Sequence, residues 1–240
     1  MHAFSAVFSR EFLGYFRTPV AYVFLIVFLV ASTGLAFFMG GLFDGRVASL
    51  ERFFLFHPFL YLFLVPAVGM RLWAEERRSG TVELLFTLPI TPLRAVVGKF
   101  LAAWSFLGIA LLSTFLLPLT VAYLGDPDWG VILASYLGSF LMAGAYLGIC
   151  SLVSALTKNQ VIAFVISVSV CLVLVLLGWS VFQSILEGIF PTAVVAALET
   201  FSFTTHFESM LRGLIDLRAL VYFGSLMIFT LLLNVLVVER

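Results

Sequence analysis

Arg71-Leu-Trp-Ala-Glu-Glu-Arg-Arg-Ser-Gly-Thr-Val-Glu-Leu-Leu-Phe-Thr-Leu-Pro-Ile-Thr-Pro92 is a charged island between two long apolar runs, and its reading decides how the rest of the chain lies. Residues 73–78 crowd Glu75, Glu76, Arg77 and Arg78 beside Trp73, and Ser79-Gly80-Thr81 then punctuates the chain. Residues 82–88 read as a short helix with an apolar face; Glu83 sits in its first turn, where a carboxylate complements the positive end of the helix dipole. Leu88-Pro89 stops that helix. Thr91 is placed to cap the next one, with Pro92 at its first position, where a missing N–H costs nothing.

Around the island the composition is that of a membrane protein. The 240 residues are 62% hydrophobic and 11% charged, with a mean hydropathy of +1.16, whereas soluble domains carry about 25% charged residues. A formal charge of zero argues against a nucleic-acid partner. Cys150 and Cys171 both lie in apolar runs, where a reduced cysteine acts as a small hydrophobe, and two of them make no disulfide framework.

Upstream of the island, 53–70 is an apolar run entered through His57-Pro58 and kinked by Pro66. Before it, 20–41 has the length of about twenty residues that a span needs, well beyond the roughly 7–15 of a signal-peptide core, so it reads as a retained span. Residues 1–18 alternate Phe4, Val7, Phe8, Phe12 and Phe16 with Arg10, Glu11 and Arg17, the pattern of an interfacial helix lying on the membrane.

Downstream, 93–124 is long enough to begin in water and still cross; Arg94 and Lys99 mark its wet end and Pro118 a kink. Asp126-Pro127 can serve as cap and first residue of the next helix. The run 129–156 is rich in small residues, and Gly144 and Gly148 have the spacing that lets helix backbones approach closely; packing within the subunit is favoured over a contact between subunits. Thr157-Lys158-Asn159-Gln160 makes a tight hairpin into 161–182. In 183–218 acids return, at Glu187, Glu199, Glu208 and Asp216, in short re-entrant or surface helices; Thr205 to Glu208 fits a capping box and Gly213 can end that helix. The run 220–238 crosses last.

With the N-terminus inside, six spans leave only Arg46, Arg52, Arg212 and Arg218 of the 13 basic residues outside, as the positive-inside rule asks. The expectation is an all-α integral membrane protein: six transmembrane helices, an N-terminal interfacial helix, a cytoplasmic loop at 73–92 that carries a short helix between spans 2 and 3, and short extracytoplasmic helices before span 6, with both termini cytoplasmic.

Glu75-Glu76, Ser79 to Leu85, Leu88-Pro89-Ile90 and Gly98-Lys99 resemble the cytoplasmic loop between the second and third spans of ABC-2-type transporter permeases, and the resemblance extends over essentially the whole chain. It implies a coupling helix that docks on a separate ABC ATPase, in two copies, with ATP and Mg held by that partner and no cofactor in this chain. It places the docking surface at Glu75, Glu76, Arg77, Arg78, Thr81, Val82, Glu83 and Leu84. It further implies a homodimer or a paralogous permease partner, an exporter, and a prokaryotic cytoplasmic (inner) membrane. Thr204 to Glu208, Arg212 to Arg218 and Tyr222-Phe223 look like the gliding-motility and copper-enzyme-maturation group, which implies an auxiliary membrane or periplasmic subunit.

Other chemistry finds little to use. Gly98-Lys99 lacks the upstream glycine of a phosphate loop, so ATP has no such cradle here. The histidines His2, His57 and His206 show no metal-ligand spacing, and no serine-hydrolase elbow or zincin motif occurs. The middles of the six runs carry no Asp, Glu, Lys or Arg, which leaves a proton relay nothing to run on. A passive channel or a membrane anchor is the remaining alternative.

Overall fold

The structure, a computed structural model, describes residues 2–42, 48–81 and 90–239. Among them every regular element is a helix: α1 His2–Phe16, α2 Pro19–Phe38, α3 Glu51–Phe54, α4 His57–Gly69, α5 Arg71–Ser79, α6 Pro92–Ser113, α7 Leu116–Leu124, α8 Trp129–Leu156, α9 Gln160–Leu176, α10 Ser180–Glu187, α11 Thr192–Glu199, α12 Phe203–Leu211 and α13 Leu217–Val238. Among the described residues five runs are long and apolar enough to cross a membrane: α2, Glu51–Ser79, Pro92–Leu124, α8 and α13. A sixth requires α9 and α10 together, and these are bent by 79°.

The core is built around α8, whose Met142, Tyr146, Leu147 and Cys150 are fully buried. Its small residues are what allow neighbours to close in. A Cβ on Gly138 would stand 2.8 Å from Met210 Sδ on α12, and one on Gly144 would stand 2.6 Å from Met227 Sδ on α13 and 2.8 Å from Trp104 Nε1 on α6. A Cβ on Gly148 would strike the Thr230 hydroxyl on α13. Gly144 and Gly148 thus face helices of the same subunit. Asn234 Nδ2 donates to Ser151 Oγ across the same seam, at 2.7 Å.

The second apolar run does not stop where the charges begin. It continues through Met70 into α5, so the first half of the island is a helix with Leu72, Trp73 and Ala74 buried. At the junction Ser154 of α8 inserts its hydroxyl, accepting from Trp73 N at 3.1 Å and Ala74 N at 3.0 Å and donating to Met70 O at 2.9 Å. Gly80, with φ +72°, then ends α5 in the left-handed conformation that glycine adopts without a Cβ penalty.

Proline and glycine set the other breaks. Pro118 lacks an N–H and its ring opposes the carbonyl four residues back, at Thr114, where the helix pauses between α6 and α7. Thr91 stands at the cap position of α6 with Pro92 first, but its hydroxyl makes no capping bond. The run read as 161–182 is helical to Leu176 and then turns. A Cβ on Gly178 would run into the hydroxyls of Ser202, Thr204 and Thr205, so the head of α12 packs directly on the bare glycine backbone at this turn. Gln183 Nε2 donates to the carbonyl of Leu177 left at that turn, at 3.1 Å.

Two caps fall on different residues from those the sequence suggested. Asp128, not Asp126, accepts from Gly130 N and Val131 N. Ser202, not Thr205, accepts from Thr204 N and Thr205 N, which places Thr205, His206 and Glu208 inside α12. Gly213 does end α12, at φ +79°, with Leu214 N donating to Ser209 O. Long rows of aliphatic and aromatic residues remain exposed: Val23, Ile26 and Val30 on α2, Val161 and Val165 on α9, and Ile228, Phe229 and Leu232 on α13. Patches of that extent suit lipid, not water.

Candidate docking site

The island meets the N-terminal helix and the head of α6 at one end of the bundle. α1 lies along α6: Val7, almost fully buried, faces Gly98, where an added Cβ would stand 3.0 Å from Val7 Cγ1. Farther along, the Tyr15 and Phe106 rings stack at 4.9 Å. Between these two points sits Lys99, only 2% exposed. Its Nζ is 2.8 Å from Glu76 Oε1, 3.3 Å from Glu11 Oε1 and 3.2 Å from Leu72 O, and it lies 5.1 Å from the centroid of the Trp73 ring. An ammonium has three donors, and all three are engaged.

Lys99 therefore does not mark a wet end, as its place near the start of the third run suggested. α1 folds over it, and two carboxylates answer its charge, which is the condition for keeping a lysine out of water. Arg10 adds to the cluster, 2.7 Å from Glu11 and 3.9 Å from Glu76.

Burial pushes the Glu11 carboxyl up, but Lys99 and Arg10 together outweigh that and hold it below the usual carboxylate range. Burial, reinforced by the Glu11 charge, pushes the Tyr15 phenol up, so it stays neutral. For Glu11 the sign of the linkage is that of a depressed acid: its contribution is complete above the unfolded value and is lost as pH falls through the folded one. Protection of the α1 amides against hydrogen exchange in vesicles, corrected for the intrinsic pH dependence of exchange, should accordingly be full at neutral pH and be lost as pH falls through the usual carboxylate range and below it. Fast exchange already at neutral pH would contradict the attachment.

The island residues divide by what they touch. Glu75, Arg78 and Thr81 are exposed. Glu76 is spent on Lys99, and Arg77 is half-buried, its guanidinium donating to Val237 O at the end of α13 at 2.7 Å. Val82, Glu83 and Leu84, with the short helix read at 82–88, lie outside the described residues. Between α1 and α5 a cleft of about 190 Å³ opens, lined by Arg10, Tyr15, Thr18, Arg71 and Glu75 among others. Sequence reasoning missed Lys99 and Glu11 as partners. The available signals were the Gly98-Lys99 pair and a lone acid on an otherwise basic amphipathic helix.

His57 and His206 are engaged separately. His57 is fully buried, its Nδ1 2.7 Å from Ser139 Oγ and its ring edge-on to Phe53 and Phe54. His206 stacks on Tyr222 at 4.1 Å and its Nε2 is 2.9 Å from Thr200 O.

Among the described residues, the all-helical architecture, several membrane-length apolar helices with apolar faces turned outward, and a charged island at one end define a multi-pass membrane protein. The chain belongs to the ABC-2 family of transporter proteins, whose family model matches residues 53–238, well over half of its length. No curated protein matches it. It is a permease subunit of an ABC transporter, the membrane component that works with a separate ATPase subunit.

Proposed function

We propose that this chain is the permease of an ABC-2 exporter of the prokaryotic inner membrane, or drives a periplasmic partner in place of moving a cargo. Two copies, or one copy and a paralogue, present two islands to a pair of ATPase subunits that carry ATP and Mg. The island end and both termini face the cytoplasm. An auxiliary subunit of the gliding-motility or copper-maturation type completes the assembly.

The observation that carries the reading is the shape of the island. α5 extends a membrane-length helix run beyond the buried Leu72–Ala74 turn and offers Glu75, Arg78 and Thr81 to a partner at one end of the bundle. Closure of the ATPase pair moves the islands, and the spans exchange which side of a shared cavity is open. The work comes from contacts that differ between the two ATPase states, since equal contacts shift no equilibrium.

The test is co-purification from detergent-solubilised native membranes. An ABC ATPase that accompanies the chain and hydrolyses ATP is the expected result; a chain that comes out alone and inert overturns the proposal. Glu75→Lys combined with Arg78→Glu reverses two exposed charges without touching Lys99. It should cut the recovered ATPase by about tenfold, a usual scale for interface charges, while membrane insertion stays at the wild-type level.

A further inference from the structure

A second cavity, of about 220 Å³, opens between the head of α4, the turn from α9 into α10, and α12. α4 runs from it to the start of α5, so it lies at the end of the bundle away from the island. Its walls are apolar, with Phe59 of α4, Val175 of α9, and Phe207 and Leu211 of α12 among them. Two exposed side chains break that pattern: Trp179 at the α9–α10 turn and Glu208 on α12.

α12 turns Thr204, Phe207, Glu208 and Leu211 to the cavity, which is the three- and four-residue spacing of a single helix face. The head of α12 also packs directly on Gly178, so the elements that carry Trp179 and Glu208 are fixed against each other. The capping role that the sequence suggests for Glu208 falls to Ser202. That leaves the Glu208 carboxylate without a hydrogen bond or an ion pair among the described residues, and Arg212, four residues along the same helix, neither pairs with it nor lines the cavity.

A free carboxylate and an indole beside an apolar hollow are the partners of an organic cation. The carboxylate answers the charge, the π face attracts the same ammonium, and the hollow takes the hydrocarbon body. A calcium ion would need six or more oxygens, and no group of three acidic, histidine or cysteine side chains stands together among the described residues. A phospholipid amine fits poorly, because no Lys or Arg lines the cavity and the attached phosphate would meet Glu208 unanswered. The volume lies below the roughly 300–1,000 Å³ of drug-sized sites, which limits the ligand to an ammonium with a short alkyl chain or one aromatic ring. Residues 180–218 carry four acids against two bases, a balance that concentrates cations at this end.

We propose that this cavity binds a small amphiphilic organic ammonium, with Glu208 as its counter-charge and Trp179 as its aromatic wall. The site belongs to this chain alone and stands whether or not the docking reading does.

The experiment uses the full chain labelled with 5-fluorotryptophan in dodecyl maltoside micelles, which carry neither charge nor amine. The Trp179 fluorine resonance is assigned by its loss in Trp179→Phe. Benzyltrimethylammonium should shift that resonance saturably, and benzenesulfonate, an anion of similar size, should not. Glu208→Gln keeps the shape at an exposed position and should weaken the cation by about tenfold, the scale of one contact to a charged group. Glu208→Asp, which keeps the charge, should retain binding, and Glu199→Gln, which lies outside the cavity lining, should bind as the wild type does. Absence of a saturable shift, an equal response to benzenesulfonate, or a Glu208→Gln chain that binds like the wild type overturns the proposal. Equal weakening by Glu199→Gln would mean that the general field, not this site, collects the cation, and overturns it too. Phosphatidylethanolamine added to the micelles should not compete; displacement of the probe by it would make the cavity a lipid-amine site and overturn the assignment to a free ligand.

Discussion

A Glu76→Lys chain should fail to accumulate in folded form. The new ammonium would sit where an oxygen now lies 2.8 Å from Lys99 Nζ, in a site where the Lys99 side chain is 3% exposed. The substitution both removes the nearer counter-charge and adds a like one, and breaking a buried pair from one side alone costs about 3–5 kcal/mol. That is a large share of the stability of a typical domain. Thermal unfolding of the detergent-solubilised protein, followed by size exclusion, gives the measurement. Glu75→Lys is the control, because its exposed neighbour position should shift stability by no more than about 0.5 kcal/mol. Equal melting of the two variants would mean that the Lys99 cluster does not hold the island. This also sets a condition on any charge-reversal test of docking: reversing Glu75 and Glu76 together would mix loss of the partner with loss of the fold.

The second large effect is expected at the seam between α8 and α13. Gly148→Leu puts a branched side chain where even a Cβ collides with the Thr230 hydroxyl, and the backbone at Met227 Cα lies 3.7 Å away, leaving no direction in which to yield. Overfilling a packed interface costs about 1–3 kcal/mol, and more where backbone must move. The Ser151–Asn234 hydrogen bond, farther along the same two helices, should be strained with it. Gly34→Leu on α2 meets nothing within 4 Å and should melt like the wild type. If both glycine variants melt alike, close approach at Gly148 is not what holds the last span.

The apolar runs were legible in the sequence because lipid imposes a requirement on composition that needs no partner to be read. Breaks were legible where one residue forces them, as Pro118 and Gly80 do. The turn after Leu176 was not, since the head of α12, which packs against Gly178 there, comes from elsewhere in the chain. Cap assignments slipped by two or three residues at Asp128 and Ser202, because neighbouring positions offered equally competent side chains and the backbone decides between them.

The candidate site was half legible. Glu75, Arg78 and Thr81 are exposed as a docking surface requires, and their charge and position were readable directly. Glu76 and Arg77 look the same in sequence, yet one answers Lys99 and the other the carbonyl of Val237. Nothing local distinguishes them, because the partners lie 23 and 160 residues away. Lys99 was misjudged for the same reason, with Glu11 at a separation of 88. Charges in a membrane chain are easy to find and hard to pair.

Ser154 carries a consequence for the order of assembly. The backbone groups at Met70, Trp73 and Ala74 that its hydroxyl satisfies are synthesised 80 to 84 residues before it. Until α8 has entered the bilayer, the second span has no neighbour to complete it at that point, and a helix alone in lipid keeps its own ladder closed. The hydrogen bonds at Met70, Trp73 and Ala74 are therefore made late, when the fourth long helix arrives, and the junction from which the island leaves the second span is completed after translation has passed it by.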